Sequence, residues 1–234
     1  MIRDILKDGF KELGFFAGET ALQGYEVFYK YLVERNKVMN LTAITGENEV
    51  ARLHFLDCAA LLLAADFKGA RVIDVGTGAG FPGIPLRISE TDMELTLLDS
   101  LGKRVDFLKE SCDLLGFNNV TCIHSRAEDA PSEYREFFDI AVSRAVAKLN
   151  VLCELCIPFV RVGGIFMAMK GPDPEDELQE AETAISLLGC EFSGVFKYCI
   201  PGTDISHTAV IVKKTKNTPE KYPRRFAKIQ KSPL

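Results

Sequence analysis

Apolar positions along the chain change their period near residue 70. Before that point Leu22, Tyr25, Phe28, Tyr29, Leu32 and Val33 recur at helical spacing, which predicts helix from Ile2 to about Asn36. A short connector, Asn40-Leu41-Thr42-Ala43-Ile44-Thr45, leads to a second helical stretch from about Glu47 to Ala65, with Thr45 or Asn48 available as its cap. On that helix His54 and Asp57 fall one turn apart and share a face. From Val72 onward short apolar runs alternate with amphipathic ones. Val72–Val75, Glu94–Asp99, Val120–Ile123, Phe137–Val142 and Gly163–Met169 read as strands. Between the second and third of these, Leu101, Val105, Leu108, Cys112 and Leu115 make a helical stripe that Gly116 ends. An acidic helix, Glu175 to Leu188, precedes two closing strands near Glu191–Tyr198 and His207–Lys213. Strand alternating with helix is the signature of an α/β parallel sheet covered on both faces.

The first strand carries the chemistry. Val72-Ile73-Asp74-Val75-Gly76-Thr77-Gly78-Ala79-Gly80-Phe81-Pro82-Gly83 is an apolar strand ending in an acid, followed by four glycines in eight residues. Glycine at such density marks positive φ or the close approach of a ligand. Gly78 to Gly83 fits the G-x-G-x-x-G dinucleotide pattern, in which a pyrophosphate rests on a helix N-terminus. Asp74, two residues ahead of Gly76, points elsewhere: a carboxylate facing the cleft repels a pyrophosphate but suits the cationic S-adenosylmethionine. Asp99, closing the second strand, suits the ribose hydroxyls of either cofactor. The third strand releases Ser125-Arg126-Ala127-Glu128-Asp129 at its carboxyl end, where Ala127 leaves room for an adenine and Glu128 or the main chain takes its amino hydrogens.

Composition narrows the setting. At 234 residues and 47% hydrophobic content the chain fills one α/β domain with a small addition. No apolar run reaches membrane-spanning length and Met1-Ile2-Arg3-Asp4 is not an export signal, so a cytoplasmic protein is expected. Seven cysteines without a framework argue for free thiols, and Cys153 and Cys156 lie in an apolar helical run rather than a metal motif. No metal site is expected. The net charge of −5 hides an asymmetry, because residues 213–234 carry eight Lys/Arg against one Glu. A basic tail on an acidic body reads as a phosphate-seeking arm, kept irregular by Pro219, Pro223 and Pro233. Arg224, Arg225 and Lys228 are its candidate phosphate contacts, with Lys170 a further phosphate candidate at the end of the fifth strand. The division expected is a helical cap (1–66), a catalytic domain (67–214) and the basic tail (215–234).

Together these residues resemble the glucose-inhibited division protein B family of bacterial 16S ribosomal RNA guanine-N7 methyltransferases. The resemblance rests on Asn40-Leu41-Thr42-Ala43-Ile44, His54-Phe55-Leu56-Asp57, Asp74 through Gly83, Leu98-Asp99-Ser100 with Lys103-Arg104, Arg126-Ala127-Glu128, Ser143-Arg144-Ala145-Val146-Ala147 and the tail from Lys216 through Tyr222-Pro223-Arg224-Arg225 to Leu234. It implies a Rossmann-like, class I S-adenosylmethionine-dependent methyltransferase: a seven-stranded, mostly parallel sheet with an N-terminal helical cap. Carried over by position, the cofactor contacts are Gly76, Phe81, Ala127, Glu128 and Arg144, joining Asp74, Gly78 and Asp99 from the reading above. The implied partner is 16S ribosomal RNA or the small ribosomal subunit, met by a monomer without a membrane. One departure is visible, since the family usually has Arg where His207 stands.

Guanine N7 carries a lone pair and no proton, so its methylation needs alignment rather than a base. Consistently, the turn after the fourth strand has neither the cysteine of carbon-5 pyrimidine methylation nor the Asn/Asp-Pro-Pro-Tyr of amine methylation. Arg144 is the candidate catalytic residue, placed to take guanine O6, a phosphate or the cofactor's carboxylate. An ion pair with Asp74 or Glu128 that merely braces the cleft accounts for it equally well. A methyltransferase of small molecules or proteins, or a nicotinamide-binding protein, would make the basic tail incidental.

Overall fold

The structure is a computed structural model describing residues 1–144 and 147–234; Ala145 and Val146 of the Ser143–Ala147 stretch lie outside the described residues. Seven strands form one sheet: β1 (Arg71–Val75), β2 (Glu94–Asp99), β3 (Val120–His124), β4 (Phe138–Arg144), β5 (Val160–Lys170), β6 (Cys190–Cys199) and β7 (Ser206–Lys214). Their order is β3-β2-β1-β4-β5-β7-β6, and β7 alone runs antiparallel to its neighbours. This is the expected α/β, Rossmann-like, mostly parallel sheet. The strand order reverses direction on either side of β1, and the crevice at the carboxyl ends of β1 and β4 is where such sheets bind ligands.

Alternation along the strands explains the two cores. Val72, Leu95, Leu97 and Val142 face one side, whereas Ile73, Leu98, Ala141 and Phe166 face the other. The first side is closed by α1 (Ile2–Glu12) and α2 (Glu19–Met39) through Leu6, Phe10, Leu22, Tyr25, Phe28 and Leu32. The Tyr25 hydroxyl ties α2 to the sheet layer by donating to the Pro85 carbonyl at 2.8 Å. The single N-terminal helix of the sequence reading is thus two, because Gly14 takes a positive φ of 81° after α1. α5 (Gly83–Ser89) and α6 (Gly102–Leu114) share that face; α7 (Leu149–Cys156) and α8 (Glu175–Leu187) cover the opposite one. Cys153 and Cys156 are buried free thiols in that second core.

Two further expectations change. The helix expected over Glu47–Ala65 is built of pieces, α3 (Glu47–Val50), a π turn (Ala51–Leu56), α4 (Asp57–Ala59) and a 3-10 turn (Ala60–Leu63), entered from Gly46 rather than from a Thr45 or Asn48 cap. The tail is also no free arm. α9 (Phe226–Lys231) forms in it, and Tyr222 and Ile229 are buried in the second core.

Candidate active site

At the end of β1 the chain turns under its own carboxylate. Asp74 is fully buried and its Oδ2 accepts the Thr77 hydroxyl at 2.6 Å and the Gly83 N–H at 2.8 Å, which clamps both ends of the glycine turn. A Cβ on Gly83 would lie 2.9 Å from that oxygen and 2.6 Å from Leu97, so only glycine admits the carboxylate there. Burial pushes the Asp74 carboxyl up to about 6 against the opposing pull of these hydrogen bonds. Asp74 was expected to face the cleft. Instead it lies beneath the turn and holds it closed, with Oδ1 unpartnered among the described residues.

Above the turn lies a cleft of about 410 Å³. Gly76 and Gly78 line it with positive φ of 71° and 60°, and Phe81, Asp99, Ala127, Glu128 and Arg144 line it too. The Gly78 N–H donates to Asp99 Oδ2 at 2.9 Å and the Leu101 N–H to Asp99 Oδ1 at 2.9 Å, so the backbone of two loops fixes this acid. Each oxygen retains a lone pair for a hydroxyl. Glu128 accepts the Phe226 N–H at 3.2 Å, and Phe226 itself joins the lining. The start of α9 therefore walls the far end of the cleft, a role that no motif in the tail announced.

Arg144 sits at the other end. Its guanidinium lies 4.7 Å from the centre of the Phe81 ring, with Nη1 3.4 Å from Asp57 Oδ2 and Nη2 3.2 Å from His54 Nδ1. The partner is Asp57, not the Asp74 or Glu128 of the bracing alternative. His54 Nε2 meets the Thr42 hydroxyl at 2.9 Å, and burial with the adjacent guanidinium pushes the imidazole down to about 4, leaving it neutral. Asp57, itself buried, also accepts the Tyr198 hydroxyl and His207 Nδ1, each at 2.8 Å, on Oδ1. Beyond Arg144 a second cleft, of about 560 Å³, opens between β4, β5 and α8, and shares His54 and Arg144 with the first. No group of His, Cys, Asp and Glu suited to a metal occurs among the described residues.

Two expected phosphate contacts are engaged elsewhere. Lys170 Nζ donates to Glu177 at 2.6 Å and to the Ala147 carbonyl at 2.8 Å, within the second cleft. Arg224 makes paired bonds of 2.7 and 2.6 Å to Glu154, which is completely buried. Removing that guanidinium to a surface phosphate would strand a buried carboxylate at about 3–5 kcal/mol, more than an exposed ion pair returns. Arg225 and Lys228 stay exposed, Arg225 in a 3.1 Å pair with Asp129.

The model for the family described as rRNA small subunit methyltransferase G matches residues 21–201. Along 99% of its length the chain is 47% identical to the ribosomal RNA small subunit methyltransferase G of Clostridium perfringens (strain 13 / Type A), covering 98% of that protein over 234 aligned residues. The chain belongs to this family. The protein of the same name from Alkaliphilus metalliredigens is 47% identical over 233 residues, 98% of each chain. Among solved structures the YcgJ protein of Bacillus subtilis superposes with a TM-score of 0.55 at 14% identity, covering 70% of this chain and 100% of that one, a likeness of fold alone.

Within this methyltransferase family member, sequence reasoning assigned no role to Asp57 and Tyr198, the acid beside Arg144 and its hydroxyl partner. The His54–Asp57 block signalled the first; Tyr198 lies 141 residues from its partner and gave no signal. His207 stands where an Arg is expected, and the Asp57 hydrogen bond raises its pKa above the ordinary imidazole value despite partial burial. A raised folded value means this pair stabilises the fold fully below the unfolded pKa of about 6.5 and ceases to as pH rises through the folded one. The Tm difference between wild type and His207→Asn should therefore be larger at pH 6 than at pH 9, on the order of 2–3 °C. Equal differences at both pH values in thermal unfolding would discount the pair.

Proposed function

We propose that this methyltransferase moves a methyl group from S-adenosylmethionine to N7 of a guanine in 16S ribosomal RNA. The observation that carries the reading is the end-to-end match to proteins named ribosomal RNA small subunit methyltransferase G. The first cleft fits the cofactor: its size suits a nucleoside, Asp99 has lone pairs for ribose hydroxyls, Ala127 and Phe226 border an adenine space, and negative Asp74 lies under the turn. When bound, the cofactor supplies a methyl made electrophilic by its sulfonium.

The chain's own residues then have three tasks. The turn and Asp99 hold the donor, Phe81 and Arg144 close its reactive end, and the second cleft receives the base. With its pKa pushed down to about 4 His54 is a weak proton acceptor, and Asp57 already accepts three donors, so neither is set up as a general base, which suits an acceptor nitrogen that carries no proton. The partner in this reading is 16S ribosomal RNA or the small ribosomal subunit, and the enzyme is a cytoplasmic monomer. Among the described residues no helix is long and apolar enough to cross a membrane.

Labelled methyl from S-adenosylmethionine should appear as 7-methylguanosine in 16S RNA taken from cells lacking the gene. Label in another base, or none, would overturn the reading. The exposed cations make a smaller contribution. The double variant Arg225→Ser/Lys228→Ser should bind RNA about three- to tenfold more weakly at low salt, with the deficit shrinking as salt rises and with unchanged Tm. A filter-binding salt series checks this.

A further inference from the structure

We propose that the second cleft is a guanine pocket and that Glu177, oriented by Lys170, reads the base's N1–H and N2–H edge. The inference rests on the guanine-N7 reading above and adds the residue that selects the base. The cleft lies at the carboxyl ends of β4 and β5 and, among the described residues, shares His54 and Arg144 with the cofactor cleft. A base seated in it to present N7 toward the donor turns its N7/O6 edge to that junction. Its Watson–Crick edge, with N1–H and N2–H, then needs acceptors.

Glu177 is the acceptor available. Its Oε2 is committed to Lys170 Nζ at 2.6 Å and to the Leu149 N–H at 2.8 Å, which fixes the plane of the carboxylate. Oε1 has no hydrogen-bond partner among the described residues and keeps two lone pairs. Lys170 is buried, with a side chain 8% exposed, while Glu177, which lines the cleft, remains 37% exposed, so the ammonium is spent on holding the carboxylate. Met169 and Leu53 offer apolar contact for a flat ring. Adenine has an acceptor at N1 and no N2 amine, so it would set a lone pair against Oε1. A site built around a polar partner rejects the analogue lacking it far better than an apolar pocket does.

The test uses 16S RNA assembled by ligation with either guanosine or inosine at the methylated position; inosine keeps N7, O6 and N1–H but lacks the N2 amine. With the wild-type chain, kcat/KM should fall about ten- to a hundredfold on inosine, as expected for a lost hydrogen bond to a charged group. In Glu177→Ala and Glu177→Gln, kcat/KM on guanosine should fall by a similar factor and the inosine penalty should shrink below about threefold. Calorimetric affinity for S-adenosylmethionine should stay within about threefold of wild type, a readout that general misfolding would move; if Glu177→Ala fails that control, Glu177→Gln decides by the same criterion. An undiminished inosine penalty in the folded variant overturns the pocket assignment alone. A wild-type chain that makes no 7-methylguanosine on the guanosine RNA overturns the guanine-N7 reading and this assignment with it.

Discussion

Asp74→Asn should leave the fold as stable as wild type at pH 7, or more so, and weaken S-adenosylmethionine binding by about ten- to a hundredfold. Two opposing effects set the stability. Keeping a carboxylate ionised in a site that pushes its pKa to about 6 costs the fold of order 3 kcal/mol at neutral pH. Against this, Oδ2 satisfies the Thr77 hydroxyl and the Gly83 N–H, each worth about 1–3 kcal/mol if stranded. Asn removes the charge and still offers one oxygen, so the terms nearly cancel; Asp74→Ala strands both donors and should be the less stable variant. Binding has no such compensation, because Asn loses the charge beneath a cationic donor and loosens one end of the turn.

The same carboxylate sets a pH dependence. Its folded pKa is raised, so ionisation between about 4 and about 6 weakens the apo fold, and the penalty is constant above that range. A cationic donor prefers the ionised form, so wild-type affinity should fall as pH drops below about 6 while that of Asp74→Asn stays level. Calorimetric titrations from pH 5 to pH 8 check both statements. Equal affinities at pH 7 would mean that the turn needs no charge under it.

Strand, turn and acid were legible in the chain because each is a local signal: Val72–Val75 is apolar, the glycines are dense, and Asp99 ends β2. The direction of the Asp74 side chain was not. It depends on Gly83 closing over the carboxylate nine residues later, which the pattern of glycines does not distinguish from a turn opening onto a ligand. Arg144 was identified but its partner was missed, since Asp57 stands 87 residues away on a segment whose π turn departs from ordinary helical spacing. Charge composition misled most in the tail. Arg224 and Lys214 look like surface cations by sequence, yet each neutralises a carboxylate of the body, Glu154 and Glu136. Long-range ion pairs of this kind leave no periodicity to read.

Arg144 should prove the most sensitive position in the chain. Arg144→Ala is expected to lower kcat at saturating RNA and donor by about 100- to 1,000-fold, the loss typical of a positioned cationic donor or of a reactant displaced by an ångström. The geometry assigns the loss to kcat. The guanidinium lies over Phe81 at one end of the first cleft and borders the second, whereas Asp99, Ala127 and Glu128, which in this reading would hold the nucleoside, line the rest of the first. Donor affinity should therefore change less than about tenfold. Arg144→Lys keeps the charge but cannot lie flat on the ring while reaching Asp57, so it should recover only part of the rate. Asp57→Asn separates charge from position: it leaves Arg144 on Phe81 but weakens the pairings to Tyr198 and His207, and its kcat should fall between those of wild type and Arg144→Ala. Single-turnover rates at saturating RNA and donor measure all three variants. A rate for Arg144→Ala within about threefold of wild type would reduce this arginine to a brace for Asp57 and leave the junction of the two clefts without its organising group.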